Sequence, residues 1–110
     1  MSKTKVRKII RFLHDNLNKQ NLKISKIALF GSQAKGNVTE ESDIDIVIVS
    51  KEFRGKTIFE RVALIKESEV LTIRKFMVPL DIIAMTPEEF EGESSLIAAY
   101  AKEGEIIFAS

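Results

Sequence analysis

Between Lys3 and Lys19, Val6, Ile9, Ile10, Leu13 and Leu17 recur at helical spacing while Lys3, Lys5, Lys8, Arg11 and Lys19 fall mostly elsewhere. That single apolar stripe predicts an amphipathic first helix. Lys26-Ile-Ala-Leu-Phe30 is a short apolar run with a glycine behind it and reads as a buried strand. From Asp43 to Val49 the period changes to two. Ile44, Ile46 and Ile48 share one face, and Asp43, Asp45, Val47 and Val49 share the other. With β-branched residues on both faces, this segment predicts a central strand that is polar only at its start. Beyond Gly55, residues 57 to 74 carry a helical pattern through Ile58, Val62, Ile65 and Leu71. Pro79 to Met85 is another apolar strand, with proline tolerated at its start. Thr86-Pro-Glu-Glu89 combines a capping threonine, a proline at the first helical position and a glutamate at the third, which is a helix start. The helix it opens, broken near Gly92, is expected to run through Leu96, Ile97 and Tyr100 to Gly104, and Glu105 to Phe108 forms a last short strand.

This order of helix, strand, strand, helix, strand, helix and short strand fits an α/β or α+β domain with a small sheet covered by helices. At 110 residues we expect one domain over residues 1–110, with a core but no room for a separate acceptor-binding domain. The balance of 17 Lys+Arg against 16 Asp+Glu leaves a net charge of +1, so no overall field draws the chain to nucleic acid or to an anionic membrane. Direct nucleic-acid binding is accordingly not expected. The absence of cysteine removes thiolate chemistry and disulfides, and the single His14 cannot form an imidazole cluster, so any metal must be held by oxygen. No apolar run is long enough to span a membrane and the first turn is basic and polar, which leads us to expect a soluble, cytoplasmic protein.

The chemistry concentrates in Leu29 to Ser50. Gly31-Ser32 follows a strand and can open a turn ending near Gly36, directing backbone N–H groups and a hydroxyl at one point, with Lys35 adding positive charge. Such a corner suits a phosphate, although a Gly-Ser pair alone is also an ordinary turn. Ten residues later come Asp43 and Asp45, whose i and i+2 positions project them to one side about 6.6 Å apart along the strand. Asp81 is the third residue of a later apolar strand and joins them if the two strands are neighbours, about 4.8 Å apart. Three ionised carboxylates at such spacings repel by roughly 2.5–3 kcal/mol per pair at an effective dielectric near 20. That would consume much of a small domain's stability of about 5–15 kcal/mol. Either some are protonated or cations neutralise them. Oxygen-only ligands that leave room for water and substrate phosphates fit Mg²⁺, whereas Asp43-Ile-Asp45 lacks the glycine and distal glutamate of a calcium loop.

Taken together, Gly31-Ser32, ten residues, Asp43-x-Asp45 and a later-strand Asp81 resemble the nucleotidyltransferase superfamily, most closely its minimal nucleotidyltransferase branch. The resemblance implies a small mixed sheet of about three to five strands flanked by helices. It implies that Asp43, Asp45 and Asp81 hold two Mg²⁺ ions, that Asp81 helps deprotonate an acceptor hydroxyl, and that Gly31 and Ser32 hold the β and γ phosphates of ATP. Where relatives commonly carry arginine, this chain has Lys35, which keeps the charge but not the bidentate fork. Members of the branch pair with small helical HEPN-domain proteins, and some act as antitoxins by moving AMP to a tyrosine of that partner. The expected activity is therefore AMP transfer from ATP to a partner's hydroxyl, in a chain that can also assemble with itself or with that partner. Two other readings remain: a non-catalytic module that neutralises its partner by binding, and a transferase with a small-molecule or RNA-end acceptor.

His14, Arg74-Lys75 and the cluster Lys3, Lys5, Arg7, Lys8 and Arg11 read as helix surface. Tyr100, Phe53, Phe59, Phe76 and Phe90 read as core or interface.

Overall fold

A computed structural model of the chain describes residues 2–30, 43–92 and 104–110. Gly31, Ser32, Lys35 and Tyr100 lie outside the described residues, as does the helix expected through Leu96 and Ile97. Helix α1 spans Lys3–Lys19, with the Ser2 side chain accepting from the Lys5 N–H at its start. Its buried residues are Val6, Ile9, Ile10, Leu13 and Leu17, the stripe read from the sequence. Strands β1 (Lys26–Phe30) and β2 (Ile44–Val49) follow, then a short 3₁₀ turn at Lys51–Phe53. Helix α2 (Ile58–Phe76), strand β3 (Leu80–Met85), helix α3 (Pro87–Glu91) and strand β4 (Glu105–Ala109) complete the described elements. Asp43 stands just before β2 rather than within it. Capping boxes open both α2, through Thr57 and Glu60, and α3, through Thr86 and Glu89. Each satisfies two orphan N–H groups reciprocally, so the starts of both helices are fixed locally.

The sheet order is β3-β2-β1-β4, with β1 antiparallel to both β2 and β4 and β2 parallel to β3. Strand β2 is therefore interior. Ile44, Ile46 and Ile48 join Ile27, Leu29 and the stripe of α1 in one core, under α1 and α2. Val47 and Val49 face the other way, into a smaller cluster with Ala28, Phe30, Met85 and Phe90 of α3. A strand apolar on both faces is what burial on both faces requires.

Helix α2 stands where the periodicity put it, but its apolar stripe is not its buried face. Of its apolar stripe only Ile65 is buried, while Ile58, Phe59, Val62 and Leu71 are exposed; Ser68 and Thr72 take the remaining buried positions. These hydroxyls are satisfied there, Ser68 donating to the Gln20 side chain and Thr72 to the Ser68 carbonyl. Small, locally bonded residues let α2 approach α1 closely, while Ile58, Phe59, Val62 and Leu71 are turned outward.

Helix α2 ends at Met77, whose φ of 55° and ψ of 39° are left-handed. That conformation strains a residue with a Cβ, and Met77 is 82% exposed, so its side chain recovers little through packing. We expect Met77→Gly to raise the unfolding free energy by about 0.5–1 kcal/mol, the strain relieved less the extra freedom of glycine in the unfolded chain. Urea denaturation checks it, and a loss of stability would refute this account of the cap.

Candidate active site

The parallel register of β2 and β3 sets Asp45 directly beside Asp81. Register partners project to the same face, about 4.8 Å apart at the backbone, so the two carboxylates are neighbours. Asp43, two residues before Asp45 and exposed, is close enough for its charge to act on Asp45. Across the antiparallel pairing, Asp45 faces Phe30, the 8% exposed end of β1. Among the described residues, the site is thus a corner at the sheet's end formed by Phe30 and the carboxylates.

Its electrostatics follow from that placement. Burial pushes the Asp45 carboxyl above its ordinary value of 3.8, and the charges of Asp81 and then Asp43 push it further. Among the described residues no lysine, arginine or histidine forms an ion pair with Asp43, Asp45 or Asp81. The repulsion is left uncompensated by the described protein groups. Carboxylate oxygens without a competing basic side chain are a donor set suited to a hard divalent cation. As the side chains stand, however, no group of three such ligands gathers around one point among the described residues. The geometry joins Asp45 to Asp81 and brings Asp43 within electrostatic reach.

A further carboxylate, Glu69, is not singled out by the sequence. Burial and then the charge of Asp81 push its carboxyl upward, so it belongs to the same acidic neighbourhood. Its signal lies in helical spacing: Glu69 is four residues after Ile65, on the face that α2 turns toward β3. Arg61 is likewise unanticipated. Its guanidinium donates to the Ala84 carbonyl at 3.2 Å and to Glu89 Oε1 at 2.6 Å, binding α2 to β3 and to the cap of α3. Arg54 pairs with Glu88 alongside.

Among the described residues no helix is long and apolar enough to cross a membrane. His14 packs on Phe108, with ring centroids 4.2 Å apart, away from the carboxylates. Phe53 and Phe90 are buried and Phe76 is half-buried, whereas Phe59 is 85% exposed.

A family model described as "Nucleotidyltransferase domain" matches residues 5–106. Two proteins of Methanocaldococcus jannaschii, both provisionally named protein adenylyltransferases, are similar to the chain. One is 39% identical over 66 residues, covering 60% of this chain and 65% of its own length. The other is 54% identical over 41 residues, covering 37% and 41%. The matched stretch therefore spans less than two thirds of either relative. Among solved structures, a provisionally named nucleotidyltransferase from Sulfolobus solfataricus superposes with a TM-score of 0.52 at 23% identity, over 81% of this chain and 79% of its own. A toxin-antitoxin structure with AMP-PNP superposes with a TM-score of 0.62 at 18% identity, over 89% and 72%. A mutant of the toxin-antitoxin MntA-HpeT gives 0.58 at 16% identity, over 100% and 75%. At these identities the structural likeness is one of fold.

The crowding at Asp45 has a measurable sign. Because the folded chain holds the Asp45 proton more tightly than the unfolded chain, stability falls as pH rises from about the ordinary value of 3.8 through the raised one. The penalty is then present in full at neutral pH. We expect Asp45→Asn, in EDTA at pH 7, to stabilise the fold by on the order of 1 kcal/mol after solvent screening, raising the Tm by about 4–8 °C. The gain should vanish below pH 3.8. A lower Tm for the variant at pH 7 would mean that the carboxylate is stabilised by something other than a bound cation.

Proposed function

The chain belongs to the nucleotidyltransferase domain family, and from that premise we propose that it transfers AMP from ATP to a hydroxyl of a protein partner, acting as the antitoxin of a toxin-antitoxin pair. The observation that carries this reading is the side-by-side register of Asp45 and Asp81, with no basic side chain among the described residues to neutralise them. The protein adenylyltransferase names of the relatives and the toxin-antitoxin and AMP-PNP descriptions of the fold neighbours support the choice of AMP and of a toxin partner. The finer assignment is a tyrosine of a HEPN-domain toxin.

In this reading Asp43, Asp45 and Asp81 hold two Mg²⁺ ions, which when bound supply charge neutralisation at the phosphate oxygens. Gly31 and Ser32 receive the β and γ phosphates through backbone N–H groups and a hydroxyl, with Lys35 adding charge as a single-point donor. The acceptor oxygen forms a bond to the α-phosphorus as the bond from that phosphorus to the α–β bridging oxygen breaks. The hydroxyl proton passes to Asp81, and pyrophosphate leaves with the bridging oxygen. Phe30 shields one side of Asp45 from water, which strengthens each charge interaction in the site.

A second reading is favoured by the exposed Ile58, Phe59 and Met77, which suit a protein interface whether or not chemistry follows. Neutralisation would then come from binding alone. One experiment separates the two: the chain is incubated with α-labelled ATP, Mg²⁺ and the product of the neighbouring gene. We expect covalent label on the partner, lost by on the order of 100-fold or more in the Asp43→Asn, Asp45→Asn double variant. Undiminished transfer by that variant would refute the site assignment. Absence of label with intact neutralisation by the variant would favour the binding-only reading.

A further inference from the structure

Strand β3 ends the sheet, and the hydrogen-bond pattern fixes which way its backbone points. Pro79 and Met85 offer their carbonyls to Ile44 and Ser50, so the odd-numbered positions from 79 to 85 face β2. Leu80, Ile82 and Ala84 therefore turn their N–H and C=O groups outward. Arg61 occupies one of these, the Ala84 carbonyl, which closes the far end of the edge. Among the described residues no strand pairs with the remainder. Such an edge lacks the lysine, proline or bulge that usually blunts one, and its only charge is Asp81.

The edge opens into a groove of about 560 Å³ between α2 and α3. On the α2 side Ile58, Val62 and Ile65 form a wall at helical spacing, and their exposure falls from 74% through 47% to 3% toward the sheet. This is the stripe read from the sequence, and among the described residues only its deep end is buried. The groove reaches Ile82, the residue next to Asp81 in the edge strand, so a segment lying along the edge passes from one to the other.

We propose that the acceptor protein docks as an extended segment that adds an antiparallel strand to the outer edge of β3, with a hydroxyl-bearing residue opposite Asp81 and an apolar residue on each side of it. The inference rests on the transfer reading above. Opposite residues share a face, so the hydroxyl side chain lies on the face of Asp45 and Asp81. Its two neighbours face the other way, toward Ile58, Val62 and Ile82. Those neighbours lie opposite Leu80 and Ile82, in the hydrogen-bonded pairs where each N–H and C=O of the edge finds a partner. Main-chain bonds supply affinity and the apolar wall supplies selectivity.

The test uses the peptide Ac-Lys-Val-Tyr-Val-Lys-NH2 and the small acceptor N-acetyltyrosinamide, with ATP and Mg²⁺. We expect the peptide's kcat/KM for AMP transfer to exceed that of the small acceptor at least tenfold. Methylating both valine amides should remove the advantage, and methylating the tyrosine amide, which faces away from the edge, should keep it. The exposed-wall double variant Ile58→Lys, Val62→Lys should lower transfer to the peptide about tenfold and leave N-acetyltyrosinamide unchanged. Independently of chemistry, the peptide should slow hydrogen exchange of the Ile82 amide. An unprotected Ile82 amide, or equal use of the valine-methylated peptide, would overturn the proposal. So would concentration-dependent protection without peptide, which would mean that a second copy of the chain occupies the edge. Protection of Ile82 without transfer to either acceptor would uphold the docking mode and defeat the transfer reading instead.

Discussion

Asp45 and Asp81 repel each other across a parallel strand pair, and the rest of the sheet must hold them there. At about 5 Å and a dielectric near 20 the repulsion is about 3.3 kcal/mol before solvent screening. It is opposed by burial on both sides of β2. Ile44, Ile46 and Ile48 are fully buried under α1 and α2, and Val47 and Val49 are buried against Phe30, Met85 and Phe90. Each such side chain contributes about 1.5–3 kcal/mol on removal from water, so the strand stays in register despite the charge at its end. The order matters: the carboxylates occupy the start of the strand, where water still screens them, and the isoleucines follow.

The same opposition explains why the functional corner is assembled from the ends of elements. Phe30 closes β1, Asp45 is the second residue of β2, and Asp81 is the second of β3. An acidic group placed deeper in β2 would be fully desolvated, with the same-sign neighbour still beside it, and burial would drive it to the neutral form. At the rim the carboxylates remain available to cations, with Phe30 beside Asp45.

Much of this was legible in the sequence because it is local. The stripe of α1, the two-residue period of β2 and the Thr86–Glu89 capping box each depend on residues a few positions apart, and the elements stand where those patterns put them. The adjacency of Asp45 and Asp81 was legible only conditionally, since it depends on which strands pair, and periodicity carries no strand order. Which face of α2 meets the core was not legible: helical spacing through Ile58, Val62, Ile65 and Leu71 defines a stripe but not its direction, and Ser68 and Thr72 are buried with their hydroxyls bonded to Gln20, the cap of α1, and to the Ser68 carbonyl. Glu69 and Arg61 escaped because a charged residue on a helix is ordinary until the neighbouring strand is known. Gly31, Ser32 and Lys35 remain readings of sequence, outside the described residues.

The connection from α2 to β3 carries a consequence for how this chain can change over evolutionary time. It comprises only Met77, Val78 and Pro79, with Val78 buried in the larger core and the Pro79 carbonyl bonded to Ile44. A single inserted residue here, taken up as a shift of β3, would turn Asp81 to the opposite face of the sheet and exchange the polar and apolar sides of the strand. A two-residue insertion would restore the face but move Asp81 a rung away from Asp45. The link from the 3₁₀ turn to α2, by contrast, is exposed from Arg54 to Thr57 and sets no strand register. Length variation in descendants of this sequence is therefore expected to accumulate before α2 and to be purged after it, so that three residues with no chemical role are held nearly as tightly in length as the aspartates are in kind.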